Sequence, residues 1–252
     1  MAGLVAPGVF CYHGRVFEIG RKPPDRIFTT MKPTLIWDWN GTLLDDSAAA
    51  VGALNHLLAD RGLPAISRTF YRDHFGFPVR PFYATVGIDL AHDDWDGICR
   101  DFHRYIETEP QALRAESLPA LARAQAAGFR QAILSALRED LLRTATAAYG
   151  VTPYMAAVYG VDNLDGATKL ARGRELITHL ALPAPNGQPT PGLFFIGDTL
   201  HDAEVAAALG AQCILVTGGH QSATRLATAG VPCVASPSEA VACAAERLAQ
   251  AG

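Results

Sequence analysis

Residues 34–46 read TLIWDWNGTLLDD. Thr34-Leu35-Ile36-Trp37 is an apolar run with β-branched and aromatic side chains, the signature of a buried strand. The run ends in Asp38, and the Asn40-Gly41 pair just beyond it forces a tight turn. A carboxylate at the C-terminal edge of a buried strand, beside a glycine turn, is where open α/β sheets place their ligands. Taken alone, the stretch is read equally well as a strand running into a solvated acidic loop. The rest of the chain has to decide.

Downstream, residues 47–60 carry Val51, Leu54, Leu57 and Leu58 at helical spacing, with Gly62 as a stop. Residues 67–109 hold aromatic and charged residues in short helix-like pieces and no strand pattern. Residues 48–112 therefore read as a small helical insert. Regular alternation follows. Helices are expected at 119–127, 139–149, 168–180 and 200–209, and strands at 129–135, 155–159, 193–198, 212–217 and 231–235. Ser236-Pro237-Ser238-Glu239 supplies an N-cap, a proline at the first helical position and a capping glutamate for a terminal helix. Strands alternating with helices imply an α/β fold, a Rossmann-like, doubly wound parallel sheet with helices on both faces.

Upstream, residues 1–30 are rich in Gly, Pro and isolated charges and show no secretory pattern. They read as an N-terminal extension, disordered or not native, with the functional chain starting near Met31. The competing reading is a short hairpin over 5–19, turning at His13-Gly14. The 252 residues leave room for a core domain with a smaller insert. A formal charge of −4 and no basic run argue against a nucleic-acid partner. No apolar stretch approaches the length of a membrane span. Five scattered cysteines without a CxxC pair indicate neither a zinc site nor a disulfide framework. They suit a reducing compartment, the cytoplasm.

Three of the expected strands end in polar residues: Asp38, Ser135 and Asp198. In a parallel sheet these ends share one edge. Asp202 follows Asp198 by four residues, one helical turn on and on the same side. Lys169, the only lysine after Lys32, opens a helix. Paired carboxylates suit a hard cation such as Mg²⁺, and a hydroxyl and an ammonium beside them suit an anionic substrate. Phosphoryl transfer needs this equipment, and an aspartate can itself attack phosphorus. Each residue also has a plainer reading. Asp198 and Asp202 serve equally as helix-capping residues, Ser135 as a turn former, and Lys169 as a surface residue. His201 and His220 lie near the same edge, and a lone histidine is weak evidence. Asp45 and Asp46 are expected to steer and cap the chain into the insert.

DWNGTLLDD, the Ser135 strand end, Lys169 and GDTLHD together resemble, in order and spacing, the four motifs of the haloacid dehalogenase-like hydrolase superfamily. The likeness is to its phosphoglycolate phosphatase-like branch and covers residue 34 to the C-terminus. It implies a core of residues 31–47 and 113–252, with residues 48–112 as a helical cap. It further implies an Mg²⁺-dependent phosphatase acting on a small phosphorylated metabolite through an aspartyl-phosphate. Asp38 would be the nucleophile. Asp38, the Asn40 carbonyl and Asp198 would hold Mg²⁺, with Asp202 supporting them. Ser135, the Ala136 amide and Lys169 would bind the phosphoryl oxygens, and Gly41 and Thr42 would shape the turn. His74 and Arg80, in the cap stretch, are candidates to face the substrate, although a solvated or packed helical surface accounts for them as well. Oligomeric state is not readable.

The sequence departs from the pattern at Asn40, where these phosphatases usually carry an aspartate as general acid and base. A neutral amide cannot exchange that proton, a transfer worth about 10²–10⁴ in rate. The alternatives are a good leaving group, a proton from elsewhere such as His74, a phosphonate or haloacid hydrolase on the same scaffold, or a phosphate-ligand-binding protein without turnover. A dehalogenase would not need the metal pair, and a phosphonatase would want a lysine in 48–112, which has none.

Overall fold

The computed structural model describes residues 9–12, 15–18, 31–162 and 169–250. Val9–Tyr12 (β1) and Arg15–Glu18 (β2) pair antiparallel, with Phe10 opposite Phe17. This is the hairpin reading of the leading residues. The other residues of 1–30, and with them the reading of that segment as an extension that is disordered or not native, lie outside the described residues. Residues 1–31 form one unit and residues 32–252 another.

In the second unit, Thr34–Trp37 is β3 and Leu44–Asp45 is β4. Four helices follow: α1 (Ser47–Asp60), α2 (Arg68–His74), α3 (Arg80–Thr85) and α4 (Trp95–Ile106). Ala112–Leu113, β5, then pairs antiparallel with β4, Leu44 opposite Leu113. The chain leaves for the helices and returns from them at adjacent points. Both strands are two residues long, too short for any period to announce them.

The remaining elements alternate: α5 (Ser117–Ala126), β6 (Arg130–Arg138), α6 (Glu139–Ala148), β7 (Ala157–Val161) and α7 (Lys169–His179). After them come β8 (Leu193–Gly197), α8 (Leu200–Ala208), β9 (Gln212–Val216), α9 (Ala223–Ala227), β10 (Cys233–Val234) and α10 (Pro237–Gln250). Six strands form one sheet in the order β10-β9-β8-β3-β6-β7, and every neighbouring pair is parallel.

That order places the ligand crevice. From β3 the chain adds β6 and β7 on one side, then returns to lay β8 against the other side of β3. Winding reverses between β3 and β8, and the crevice opens at the C-terminal ends of those two strands. Those ends carry Asp38 and Asp198.

The strands are apolar on both faces because helices cover both. Leu35, Trp37, Ile133, Phe194 and Ile196 join one buried cluster with Leu121 of α5 and Val241 of α10. On the other face, Gly173 of α7 lies so close to Leu209 and Leu134 that a Cβ there would come within 2.7 Å and 2.9 Å of them. A second buried cluster belongs to the four helices: Leu54, Leu57 and Leu58 of α1 pack with Tyr71, Phe82, Tyr83 and Ile98. The helical spacing of α1 thus has its own core to face.

Three expected strands differ: 231–235 shrinks to Cys233–Val234, 155–159 is displaced to Ala157–Val161, and β6 is longer. β6 does not stop at Ser135 but runs to Arg138, with a register shift against β7 between Leu134 and Arg138. The irregularity lets the strand bend past the sheet edge, and Ser135 Oγ accepts the Leu137 amide at 3.1 Å within it. No helix among the described residues is long and apolar enough to cross a membrane.

Candidate active site

The Asp38 amide extends the β3–β8 ladder by one bond, donating to the Ile196 carbonyl at 2.8 Å. Its side chain therefore emerges beside the end of β8. Gly41 turns the chain with φ +73°, and a Cβ there would sit 2.1 Å from Asp198 Oδ2. Glycine is required both by the backbone and by the close approach. Thr42 Oγ1 then reaches back to Asp198 Oδ1 at 3.2 Å and Asp38 Oδ2 at 3.4 Å.

Asp198 is buried and is not a helix cap; Thr199 is the N-cap of α8. Asp202 does two jobs with its two oxygens. Oδ2 accepts the Asp198 amide at 3.1 Å, the Thr199 amide at 2.9 Å and Thr199 Oγ1 at 2.7 Å, completing a capping box. Oδ1 accepts from Lys169 Nζ at 2.6 Å, and the same ammonium donates to Asp38 Oδ1 at 2.6 Å. Lys169 is 3% exposed at the start of α7, so the surface reading fails. Ser135 and Ala136 line the cavity that opens over this group.

Carboxylate oxygens of Asp38, Asp198 and Asp202 all lie within 4.8 Å of one another, and all three residues are buried. One ammonium does not balance three such carboxylates. Burial pushes Asp38 up to about 8; Lys169 opposes this, while Asp202 and Asp198 add to it. Burial likewise lifts Asp198 to about 6, against the pull of His220. Burial would raise Asp202 too, but the Lys169 ammonium outweighs it and holds that carboxyl low. Lys169, which burial alone would depress, is held above the usual ammonium range by Asp202 and Asp38.

An all-oxygen donor set with surplus negative charge, kept open by Gly41, fits Mg²⁺. A pH dependence follows. Asp38 and Asp198 hold protons in the folded state between the usual aspartate value of 3.8 and their raised values. The metal-free protein therefore loses stability as pH rises through that window. The lowered Asp46 and Asp202 change stability only below it. Mg²⁺ competes with those protons, so it is expected to raise Tm more at about pH 8 than at about pH 5.5. Thermal unfolding with and without Mg²⁺ at both values measures this. An equal shift at the two contradicts a site built on these carboxylates.

Asp46 takes the expected N-cap position of α1, with its carbonyl accepting the Ala50 amide at 2.8 Å. Its side chain makes no cap bond; it is 1% exposed and accepts from Asn40 Nδ2 at 2.7 Å and the Gly41 amide at 2.8 Å. His220 Nε2 lies 3.2 Å from it, and the other ring nitrogen lies 2.8 Å from the Tyr71 hydroxyl of α2. Burial would depress His220, but Asp46 lifts it to about 9. Burial would raise Asp46, and His220 with Asn40 brings it below the usual range. The His220 amide also donates to Asp198 Oδ2 at 2.6 Å. This chain of contacts joins residues 149 and 174 positions apart, which no local pattern reveals. One signal was available: β9 is the parallel neighbour of β8, so the residues after it reach the same edge.

Around that link, α2 is tied to the loop after β9. Arg72 Nε donates to the Gly219 carbonyl at 2.8 Å and Nη2 to that of Gly218, while the Ser222 amide donates to the Arg72 carbonyl at 3.1 Å. The remaining candidates fall elsewhere. His74 is exposed and stacked on Phe70, with Nδ1 2.8 Å from the Phe70 carbonyl. Arg80 is exposed and lies over the Trp95 ring. Neither lines the cavity. Asp45 is exposed beside Arg68, and His201 stacks on Phe77.

A parallel sheet with an acidic trio and a lysine at its switch point can hold a divalent cation and an anionic group side by side. The model of the haloacid dehalogenase-like hydrolase family matches residues 35–216, and the chain belongs to that family. It is 28% identical over 197 residues to the phosphoglycolate phosphatase of Rhodobacter capsulatus, covering 76% of this chain and 87% of that one. It is 26% identical over 197 residues to that of Caulobacter vibrioides, covering 74% and 80%. The fold is shared with a predicted phosphatase from Clostridium acetobutylicum, at TM-score 0.70 and 18% identity over 86% of this chain and all of that one. It is shared also with a predicted phosphoglycolate phosphatase from Haemophilus somnus, at TM-score 0.66 and 17% identity over 85% and 98%.

Proposed function

We propose that the chain is an Mg²⁺-dependent phosphatase that hydrolyses a small phosphorylated metabolite through a phosphoryl group carried on Asp38. The observation behind this reading is the gathering of Asp38, Asp198 and Asp202 around the Lys169 ammonium at the switch point of the sheet. The names of the similar curated proteins support the same reaction class.

In this reading an Asp38 oxygen bonds to phosphorus as the ester P–O bond breaks, and the electron pair leaves on the ester oxygen. Water then bonds to phosphorus, the P–O bond to Asp38 breaks, and the carboxylate is restored. Its protons end on the released phosphate and alcohol. Lys169, the Ser135 hydroxyl and the Ala136 amide hold the phosphoryl oxygens. Asp38, Asp198 and the Asn40 carbonyl would hold Mg²⁺, with Asp202 in support. Bound there, the ion neutralises carboxylate charge and polarises a phosphoryl oxygen. Residues 48–112 act as a cap that excludes water and selects the substrate.

Asn40 favours a second reading, a phosphate-ligand binder without turnover, because its amide carries no acidic proton and is tied to Asp46. Release of inorganic phosphate from a panel of phosphoesters separates the two. Release with Mg²⁺ that stops on chelation supports the enzyme; no release from any ester with Mg²⁺ supports the binder.

A further inference from the structure

The cavity over Asp38 has a volume of about 370 Å³, room for a ligand well beyond a phosphate group. Its walls do not resemble its floor. The floor is the acidic trio with Lys169. The wall contributed by the helices is aromatic: Phe75, Phe77, Phe82, Tyr83, Trp95 and Phe102. The rings are set edge to face, Phe75 against Phe77 and Phe82 at 5.5 Å and Tyr83 against Trp95 at 5.4 Å. A planar ring extends such a set at favourable geometry.

The wall lacks charge of the sign a second anionic group needs. Among the described residues, Lys169 is the only lysine or arginine lining the cavity, and it already serves Asp38 and Asp202. Arg72 is engaged by the carbonyls of Gly218 and Gly219. Both ring nitrogens of His220 are occupied, by Asp46 and Tyr71. The helical wall carries one further basic side chain, the imidazole of His103, and one formal charge, the anion of Glu107. A carboxylate on the substrate would be buried with no further lysine or arginine to meet it and with a like charge on the same wall, an arrangement proteins avoid.

Asn40 points the same way from separate chemistry. Two residues from Asp38, its amide has no proton to give a departing oxygen. An alkoxide needs that proton; a phenolate, whose conjugate acid has a pKa of about 10 as in tyrosine, leaves far more readily without it.

We infer that the group esterified to phosphate is apolar and aromatic, so that the substrate class is aryl phosphates rather than carboxylate-bearing esters such as phosphoglycolate. This rests on the phosphatase reading. The ester P–O bond breaks as phosphorus bonds to Asp38, the electron pair departs as aryloxide, and the water that clears Asp38 supplies the proton that makes it a phenol.

The experiment is steady-state kinetics of the full chain with Mg²⁺ on 1-naphthyl phosphate and phosphoglycolate, with phosphate release as the readout. The expected result is a kcat/KM for the naphthyl ester roughly 100-fold or more above that for phosphoglycolate. Phe102→Arg, which adds a cation to the wall, is expected to lower the first and raise the second. Equal or better turnover of phosphoglycolate by the unaltered chain overturns the inference and leaves the phosphatase reading standing. If neither ester is turned over, phosphate release from the wider panel of phosphoesters decides the phosphatase reading separately. Calorimetric binding of naphthyl phosphonate and phosphonoacetate then decides the class. Tighter naphthyl binding upholds it, and equal or tighter phosphonoacetate binding overturns it. The same comparison decides if the arginine variant does not fold.

Discussion

Asp38→Asn is expected to reduce phosphate release by about 10⁴–10⁶-fold, the scale seen when a covalent nucleophile is removed from other hydrolases. The exchange is nearly isosteric. The new amide keeps an oxygen for Lys169 Nζ, which lies 2.6 Å from Asp38 Oδ1, and the change removes one of three crowded carboxylates. Burial holds Asp38 partly protonated without a cation, with its value raised to about 8. A neutral side chain there costs the fold little, so Tm is expected to hold or rise while turnover vanishes. Asp198→Asn is the comparison: it removes a carboxylate without touching the nucleophile, and turnover there is expected to recover in part at high Mg²⁺. Retention of more than about 1% of turnover in Asp38→Asn would show that phosphorus is attacked by another group.

The second large effect is on stability. Lys169→Met is expected to destabilise the metal-free protein by about 3–5 kcal/mol, the usual outcome when one member of a buried ionic group is removed and its partners are left uncompensated. Lys169 is 3% exposed and makes two 2.6 Å bonds, to Asp38 and Asp202. Methionine fills a similar volume beside Phe195, whose ring centroid lies 5.4 Å from Nζ, so the loss is electrostatic rather than steric. Because protonation of the stranded carboxylates relieves the repulsion, the loss is expected to shrink as pH falls. Urea unfolding at about pH 8 and about pH 5.5 tests this. A loss that is the same at both values would place the effect in packing and not in charge.

The sheet and its switch point are readable because β3 and β8 are apolar runs that give way abruptly to an aspartate. Asp38 and Asp198 announce themselves in that way, Ser135 shows as a hydroxyl inside the apolar run of β6, and Asp202 and Lys169 follow from position on their helices. The length of β6 is not readable: it runs three residues beyond Ser135, since a register shift in a strand leaves no mark on hydropathy. The Tyr71–His220–Asp46 link is out of reach for another reason. Each member has an ordinary local explanation, and only the packing of α2 against the loop after β9 brings the three together. The aromatic wall is visible as composition, residue by residue, but that these rings face one cavity is a property of four helices folding over a shared core.

The two-residue ladder of Leu44 opposite Leu113 makes the molecule modular. Entry and exit of the helical segment lie side by side, so closing the gap after its removal needs only a short turn, and exchanging it for another segment of different length carries a small entropic penalty. In the proposed phosphatase, selectivity for the ester group and the handling of phosphorus would then sit on different stretches of chain, coupled through the bonds of Tyr71 and Arg72 to the loop after β9. A graft of the 48–112 segment onto a relative's sheet would have to carry those contacts with it.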